Sequence, residues 1–170
     1  EADGYTYSYD MLGEAARTHG DAERYAAAYA AAIAAIATRA TGDPRTSPGV
    51  SVKLSALHPR YEWSHRDEVM AELTPRALDL ARAAARANIG LNIDAEEADR
   101  LDLSLDVIEA LLADPSLAGW DGFGVVVQAY GRRAGATIDA LHDLATRLDR
   151  RIMVRLVKGA YWDSEIKAAQ

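Results

Sequence analysis

The sequence predicts an α/β fold built on a parallel sheet of the barrel type, and three observations carry that prediction. Apolar runs of strand length alternate with longer segments of helical period, the pattern of successive βα units. Each strand segment has one apolar face, since side chains alternate with period two. The opposite face carries a polar or charged residue near the carboxyl end of four consecutive strands. The 170 residues, 49% hydrophobic and 26% charged, suffice for one domain with a buried core.

Taken in order, residues 5–10 read as a first strand and 14–41 as a long alanine-rich helix with Tyr25 and Tyr29. Residues 42–49 (GDPRTSPG) are a loop by their proline and glycine content. The second strand, 50–55 (VSVKLS), leads through a loop at 57–63 containing Pro59 into a helix over 67–87. Residues 89–94 (IGLNID) form the third strand. Residues 96–113 form its helix, with apolar positions at Leu101, Leu105, Ile108, Leu111 and Leu112. A fourth strand, 123–129 (FGVVVQA), precedes a helix over 136–148, and a fifth, 152–157 (IMVRLV), precedes a helix starting at Trp162. No tandem repeat beyond the βα period and no interdomain linker is visible.

Parallel strands covered on both faces by helices read as continuous Val/Ile/Leu, and these do not. Val52 and Leu54 oppose Lys53; Leu91 and Ile93 oppose Asp94; Val125 and Val127 oppose Val126 and Gln128; Val154 and Leu156 oppose Arg155. A closed barrel places the second face inside, with its active site at the carboxyl mouth. Burying Lys53, Arg155 and Asp94 there is costly unless they pair or bind a ligand, so a salt-bridge network and a polar ligand site are both open readings.

Composition narrows the chemistry. A net charge of −7 argues against nucleic acid as a partner of this segment. Zero cysteines exclude disulfides, thiolate metal sites and a cysteine nucleophile. No segment reaches the ~18 consecutive apolar residues of a membrane span. The four histidines show no HExxH or i,i+4 pairing, so no metal site is expected. GxSxG, GxGxxG and P-loop patterns are absent. Asp94, Glu96 and Glu97 are consistent with a divalent cation or with a helix N-terminus complementing its dipole. Lys53 suits a Schiff-base nucleophile if burial lowers its pKa, or a charged partner for a substrate carboxylate. Lys158, Arg155 and Gly159 before a helix suit a phosphate or pyrophosphate cradle. The chain opens on Glu1, not Met, so a piece of a larger polypeptide is expected.

Five segments carry a resemblance over essentially the whole chain: SYDMLGEAA (8–16), VSVKLSALHPRYE (50–62), NIGLNIDAEEADRL (88–101), GWDGFGVVVQAY (119–130) and RIMVRLVKGAYWDSEIKAAQ (151–170). In order and spacing they resemble the proline dehydrogenase domain of bacterial proline utilization A. The resemblance implies a distorted (β/α)8 barrel, of which residues 1–170 supply roughly the first five βα units, the N-terminal and central part of the domain. The last strands and a C-terminal helix with a carboxylate-clamping arginine pair would lie outside it.

The activity implied is FAD-dependent oxidation of L-proline to Δ1-pyrroline-5-carboxylate by hydride transfer to flavin N5, with electrons passed to a membrane quinone. The segment alone is expected to be inactive. The resemblance casts Lys53, Asp10, Tyr161 and Arg155 as catalytic or substrate-pocket residues. It casts Asp94, Ala95, Val126, Gln128, Arg155, Lys158, Gly159, Ala160 and Trp162 as FAD-binding residues. It further implies an aldehyde dehydrogenase domain in the same polypeptide and a cytoplasmic location, peripheral to the inner membrane. The competing readings are a Schiff-base aldolase using Lys53 and a non-catalytic βα assembly fragment.

Overall fold

The structure, a computed structural model, describes residues 5–11 and 13–170. Ten elements alternate along the chain: β1 (Ser8–Asp10), α1 (His19–Ala37), β2 (Gly49–Val52), α2 (Arg66–Ala87), β3 (Gly90–Ile93), α3 (Leu101–Ala113), β4 (Phe123–Gln128), α4 (Ala134–Leu148), β5 (Met153–Val157) and α5 (Trp162–Ala169). The strands form one parallel sheet in the order β1-β2-β3-β4-β5, each pairing with its neighbour in sequence. A sheet that never reverses its stepping direction, with right-handed crossovers, keeps its helices on one face and curls its other face inward. This is barrel winding. In a doubly wound sheet the strand order reverses.

The helix-facing side chains Val50, Val52, Leu91, Ile93, Val125 and Val127 are buried, and α1 to α4 lay their apolar stripes on them. Tyr29 and Ile33 come from α1, Leu73 and Leu80 from α2, Leu103 and Leu111 from α3, and Leu141 and Leu144 from α4. On β5 the equivalent Val154 and Leu156 are 43% and 60% exposed. The last helix does not fold back over them. It runs above the carboxyl ends of the middle strands, where the Glu165 carboxylate accepts the Ala98 N–H at 2.9 Å.

Several elements are shorter than their sequence pattern predicts, and three of them bear on the carboxyl end of the sheet. The first helix begins at His19 rather than at residue 14 because Thr18 caps it. The Thr18 hydroxyl accepts the Asp21 N–H at 3.0 Å and the Asp21 carboxylate accepts the Thr18 N–H at 2.9 Å. Residues 15 and 16 instead bond Ser55, through the Ala15 N–H to its hydroxyl and the Ala16 N–H to its carbonyl. The second strand ends at Val52, and residues 54–56 make a short 3₁₀ turn. The third helix begins at Leu101 because Glu96 turns back to β2, accepting the Ser55 N–H at 3.0 Å. Each retreat lengthens a loop at the carboxyl end of the sheet.

Leu91, 1% exposed on the central run of the sheet, tests this packing. Leu91→Ala should cost about 2–5 kcal/mol of stability in a denaturant titration. A loss typical of a surface substitution would show that the sheet and helix layers do not close on each other as described.

Candidate active site at the strand ends

Register places the polar side chains in rows. Asp10 pairs with Ser51, Ser51 with Asn92, and Asn92 with Gly124. Two residues further along the same face, the row runs through Lys53 and Asp94 to Val126, which pairs with Arg155. Gln128 follows one pleat beyond Val126. The predicted polar face is therefore real, and four strands contribute to it.

Lys53 is the centre of the first cluster. Its ammonium donates to the Asp10 carboxylate at 2.9 Å and to the Asp94 carboxylate at 2.9 Å. The other Asp94 oxygen accepts from the Arg155 guanidinium at 2.7 Å. The Lys53 and Asp94 side chains are 16% and 8% exposed, whereas those of Asp10 and Arg155 are 54% and 42% exposed. Burial works against the Lys53 charge, but the hydrogen bonds and negative charge of Asp10 and Asp94 outweigh it and raise the ammonium above its ordinary range. A Schiff-base lysine has to lose its proton near neutral pH, so this environment argues against the aldolase reading. Asp94 carries two cations, which also removes it from a divalent-metal role.

A second cluster braces the loops. Gln128 donates to the Glu96 carbonyl at 2.9 Å, and its own carbonyl accepts the Ala160 N–H at 3.0 Å. Glu96, with a side chain only 5% exposed, holds the Ser55 N–H and pairs with Arg100 at 3.2 Å. Burial raises the Glu96 carboxyl, against the pull of Ser55 and Arg100. Tyr161 sits in the same field: burial, then the negative charge of Glu96 and Glu14, push its phenol up to about 12. Gly159 has φ +115°, and a Cβ there would lie 2.1 Å from Cδ1 of Tyr130, so only glycine fits this turn.

The structure thus brings Lys53, Asp10, Asp94 and Arg155 into one ion-pair network, as one of the two open readings anticipated. It brings Gln128, Ala160 and Gly159 together at the end of β5. Ala95 follows Asp94 in the β3 loop, Val126 is buried between Asp94 and Arg155 in the row, and Trp162 opens α5 at 56% exposure. Lys158 is exposed at the mouth. A cavity of about 410 Å³ opens alongside, between the sheet and α3 and α4, with Trp162 and Ile166 at its rim.

The sequence pattern gives no site role to Ser55, which ties the loops after β1, β2 and β3 together, or to Tyr29, whose hydroxyl accepts the Lys53 N–H at 3.2 Å. By that pattern Glu96 with its acidic neighbours reads as a cation site or a helix start, and the structure makes it a buried acceptor for β2. The available signal was the acidic pair Glu96–Glu97, two residues after Asp94 at a strand end.

The residues fit a flavin dinucleotide on these observations. Val126 gives an apolar floor between an anion and a cation. The glycine turn with Lys158 stands at a helix start, where a phosphate is favoured. Gln128 keeps a second amide N–H beyond the one given to Glu96.

Comparisons with known proteins agree with this geometry. The proline dehydrogenase family model matches residues 1–170. The bifunctional protein PutA of Escherichia coli (strain K12) is 57% identical over 171 residues, spanning 100% of this chain and 13% of that protein. Its counterpart from Rhizobium meliloti is 58% identical over 175 residues, 100% of this chain and 14% of that one. The chain therefore spans about one seventh of the length of these relatives. Among solved structures, proline utilization A from Bradyrhizobium japonicum superposes with a TM-score of 0.94 at 60% identity, covering 96% of this chain and 17% of that one. The Bdellovibrio bacteriovorus protein inactivated by N-propargylglycine superposes at 0.90 with 28% identity, covering 99% and 19%. Five parallel strands wound in one direction, a polar row across four of them, and a match over every residue lead to one conclusion: this chain belongs to the proline dehydrogenase family.

Proposed function

We propose that residues 1–170 form the N-terminal and central part of a proline dehydrogenase barrel, completed by further strands of a longer polypeptide. In this reading the strand-end cluster holds L-proline beside FAD, which would be the oxidant in its conversion to Δ1-pyrroline-5-carboxylate. The observation that carries it is the Lys53 ammonium, held charged between Asp10 and Asp94 in one row with Arg155. An ammonium has three N–H donors, and the two aspartates take two. The third is open to the carboxylate of an amino acid, a charge-assisted bond.

Asp10, half open to solvent, lies across Lys53 from Asp94 and sets the edge of the substrate pocket. Tyr161, its phenol neutral at physiological pH, serves as a hydrogen-bond donor to the same substrate. The cofactor would rest on Ala95, Val126 and Gln128, with Arg155 at its ring and with Lys158, Gly159, Ala160 and Trp162 along its chain. Bound there, FAD would supply the hydride acceptor, and a membrane quinone would take the electrons from it. Arg155 keeps guanidinium donors beyond the one on Asp94, and a fixed cation there favours an electron-rich ring.

No helix among the described residues is long and apolar enough to cross a membrane. In this reading the quinone would be met at a membrane surface by a cytoplasmic protein. An aldehyde dehydrogenase domain in the same polypeptide would consume the product, in keeping with the name bifunctional borne by the relatives.

Three outcomes test the site in the full-length protein. Lys53→Ala should raise KM for proline with flavin retained, by the roughly tenfold to hundredfold that a charge-assisted hydrogen bond of about 1.5–3 kcal/mol is worth. Unchanged steady-state kinetics would remove Lys53 from the substrate role. Arg155→Met should lower the flavin reduction potential or flavin retention more than it changes proline affinity, as spectroelectrochemistry would report. A wild-type potential with full occupancy would contradict the assignment. Glu96 gives a pH dependence. Its folded pKa is raised, so the stability its protonated form contributes is full below the ordinary value of 4.5 and lost as pH rises through the folded value. Glu96→Gln, which keeps an acceptor for Ser55, should gain on the parent in urea midpoint as pH rises above the ordinary carboxyl value of 4.5. A pH-independent difference would show that the buried charge is not the cause.

A further inference from the structure

We propose that the corner between the start of α1, the loop after β2 and the first turns of α2 is a divalent-metal site, formed by His58, His19 and Glu72 with Glu68 beside them, for an ion of the zinc class. None of these residues takes part in the ion pairs at the strand ends, and the sequence hid the site because its two histidines belong to distant segments.

The case rests on His58. Its side chain is fully buried, and its Nε2 has no hydrogen-bond partner. A buried polar nitrogen left in this way is costly and calls for an occupant. The nitrogen faces the Glu72 carboxylate at 3.6 Å and the Glu68 carboxylate at 3.9 Å, both too far for a hydrogen bond. From the other side, Nδ1 of His19 stands 3.5 Å from the same Glu72 oxygen. The three donor atoms of His19, His58 and Glu72 lie within 4.8 Å of one another. Donors about 2.0–2.2 Å from a tetrahedral zinc ion are roughly 3.3 Å apart, so the group needs only a modest closure. The closure falls on His19 and Glu72, whose side chains are 56% and 42% exposed and free to rotate, while His58 stays fixed by its burial. Two imidazoles and a carboxylate are a zinc-type donor set, and Glu68 or water would complete it.

The protons balance as follows. The His58 Nδ1 accepts the Arg60 N–H at 3.1 Å, so the neutral ring carries its proton on Nε2. An ion bound at Nε2 would leave the ring's proton on Nδ1, and the Arg60 N–H would then exchange its bond to His58 for one to water. Imidazole ligands on metals usually have a donated second N–H, and here that proton would need a water or carbonyl acceptor in the 58–60 turn.

The test is a calorimetric Zn²⁺ titration of the full-length protein, stripped of metal by chelator, beside His19→Ala and Glu72→Gln. Both substitutions are at exposed side chains and leave the core intact. The parent should bind one equivalent of Zn²⁺ that each variant binds about tenfold or more weakly, and zinc-soaked crystals should show an anomalous peak bonded to His58 Nε2. Equal stoichiometry and affinity in parent and variants, or a water alone at His58 Nε2 in those crystals, would overturn the proposal.

Discussion

One ammonium group organises the carboxyl end of this sheet. Lys53 spans Asp10 on β1 and Asp94 at the end of β3, and Asp94 in turn holds Arg155 on β5. Two cations and two anions cancel, which is what allows Lys53 and Asp94 to sit largely out of water. The cluster works only if the sheet register is correct, because a slip by one residue on any strand would turn its charge toward the helices. The same cluster that limits the cost of buried charge therefore selects the register that builds the site.

The loops around this cluster are braced by side chains with two partners each. Ser55 gives its N–H to Glu96 while its hydroxyl and carbonyl take the amides of Ala15 and Ala16, so one residue ties together the loops after β1, β2 and β3. Gln128 does the same between the loops after β3 and β5. These braces explain why the helices start late. The backbone groups that would have begun α1 and α3 are spent on neighbouring strands, and Ala15 accepts a positive φ of 55° to do so. Rigidity at the strand ends comes from these cross-loop bonds, since the loops themselves contribute little to the hydrophobic core.

Much of this was legible in the residues. The alternation of Val, Leu and Ile with Lys53, Asp94, Gln128 and Arg155 encodes both the layer order and the mouth of the site, because a period of two is a local property. The ends of elements were less legible. Residues 14–18 and 96–100 have helical composition; the Thr18 cap and contacts with residues some forty positions away override it. Glu96 shows the limit most plainly: a carboxylate after a strand reads as a cap or a cation ligand until Ser55 is placed beside it. The pocket role proposed for Tyr161 rests on long motifs shared with the proline dehydrogenase family, since spacing alone would have left it as packing.

The charge arrangement also separates two jobs that the polar row could be thought to share. Structural ion pairs are at their best when every donor and acceptor is used, and Asp94 meets that standard with a cation on each oxygen. Lys53 and Arg155 do not, since each keeps donors that no described residue takes, and Arg155 remains 42% exposed beside the apolar Val126. Asp94 is thus satisfied while its two cations keep donors to spare. A network built only to stabilise the sheet would have matched its donors to its acceptors. In the proposed reading, the unspent donors on either side of this apolar floor would receive an anionic group at one end and an electron-rich ring at the other.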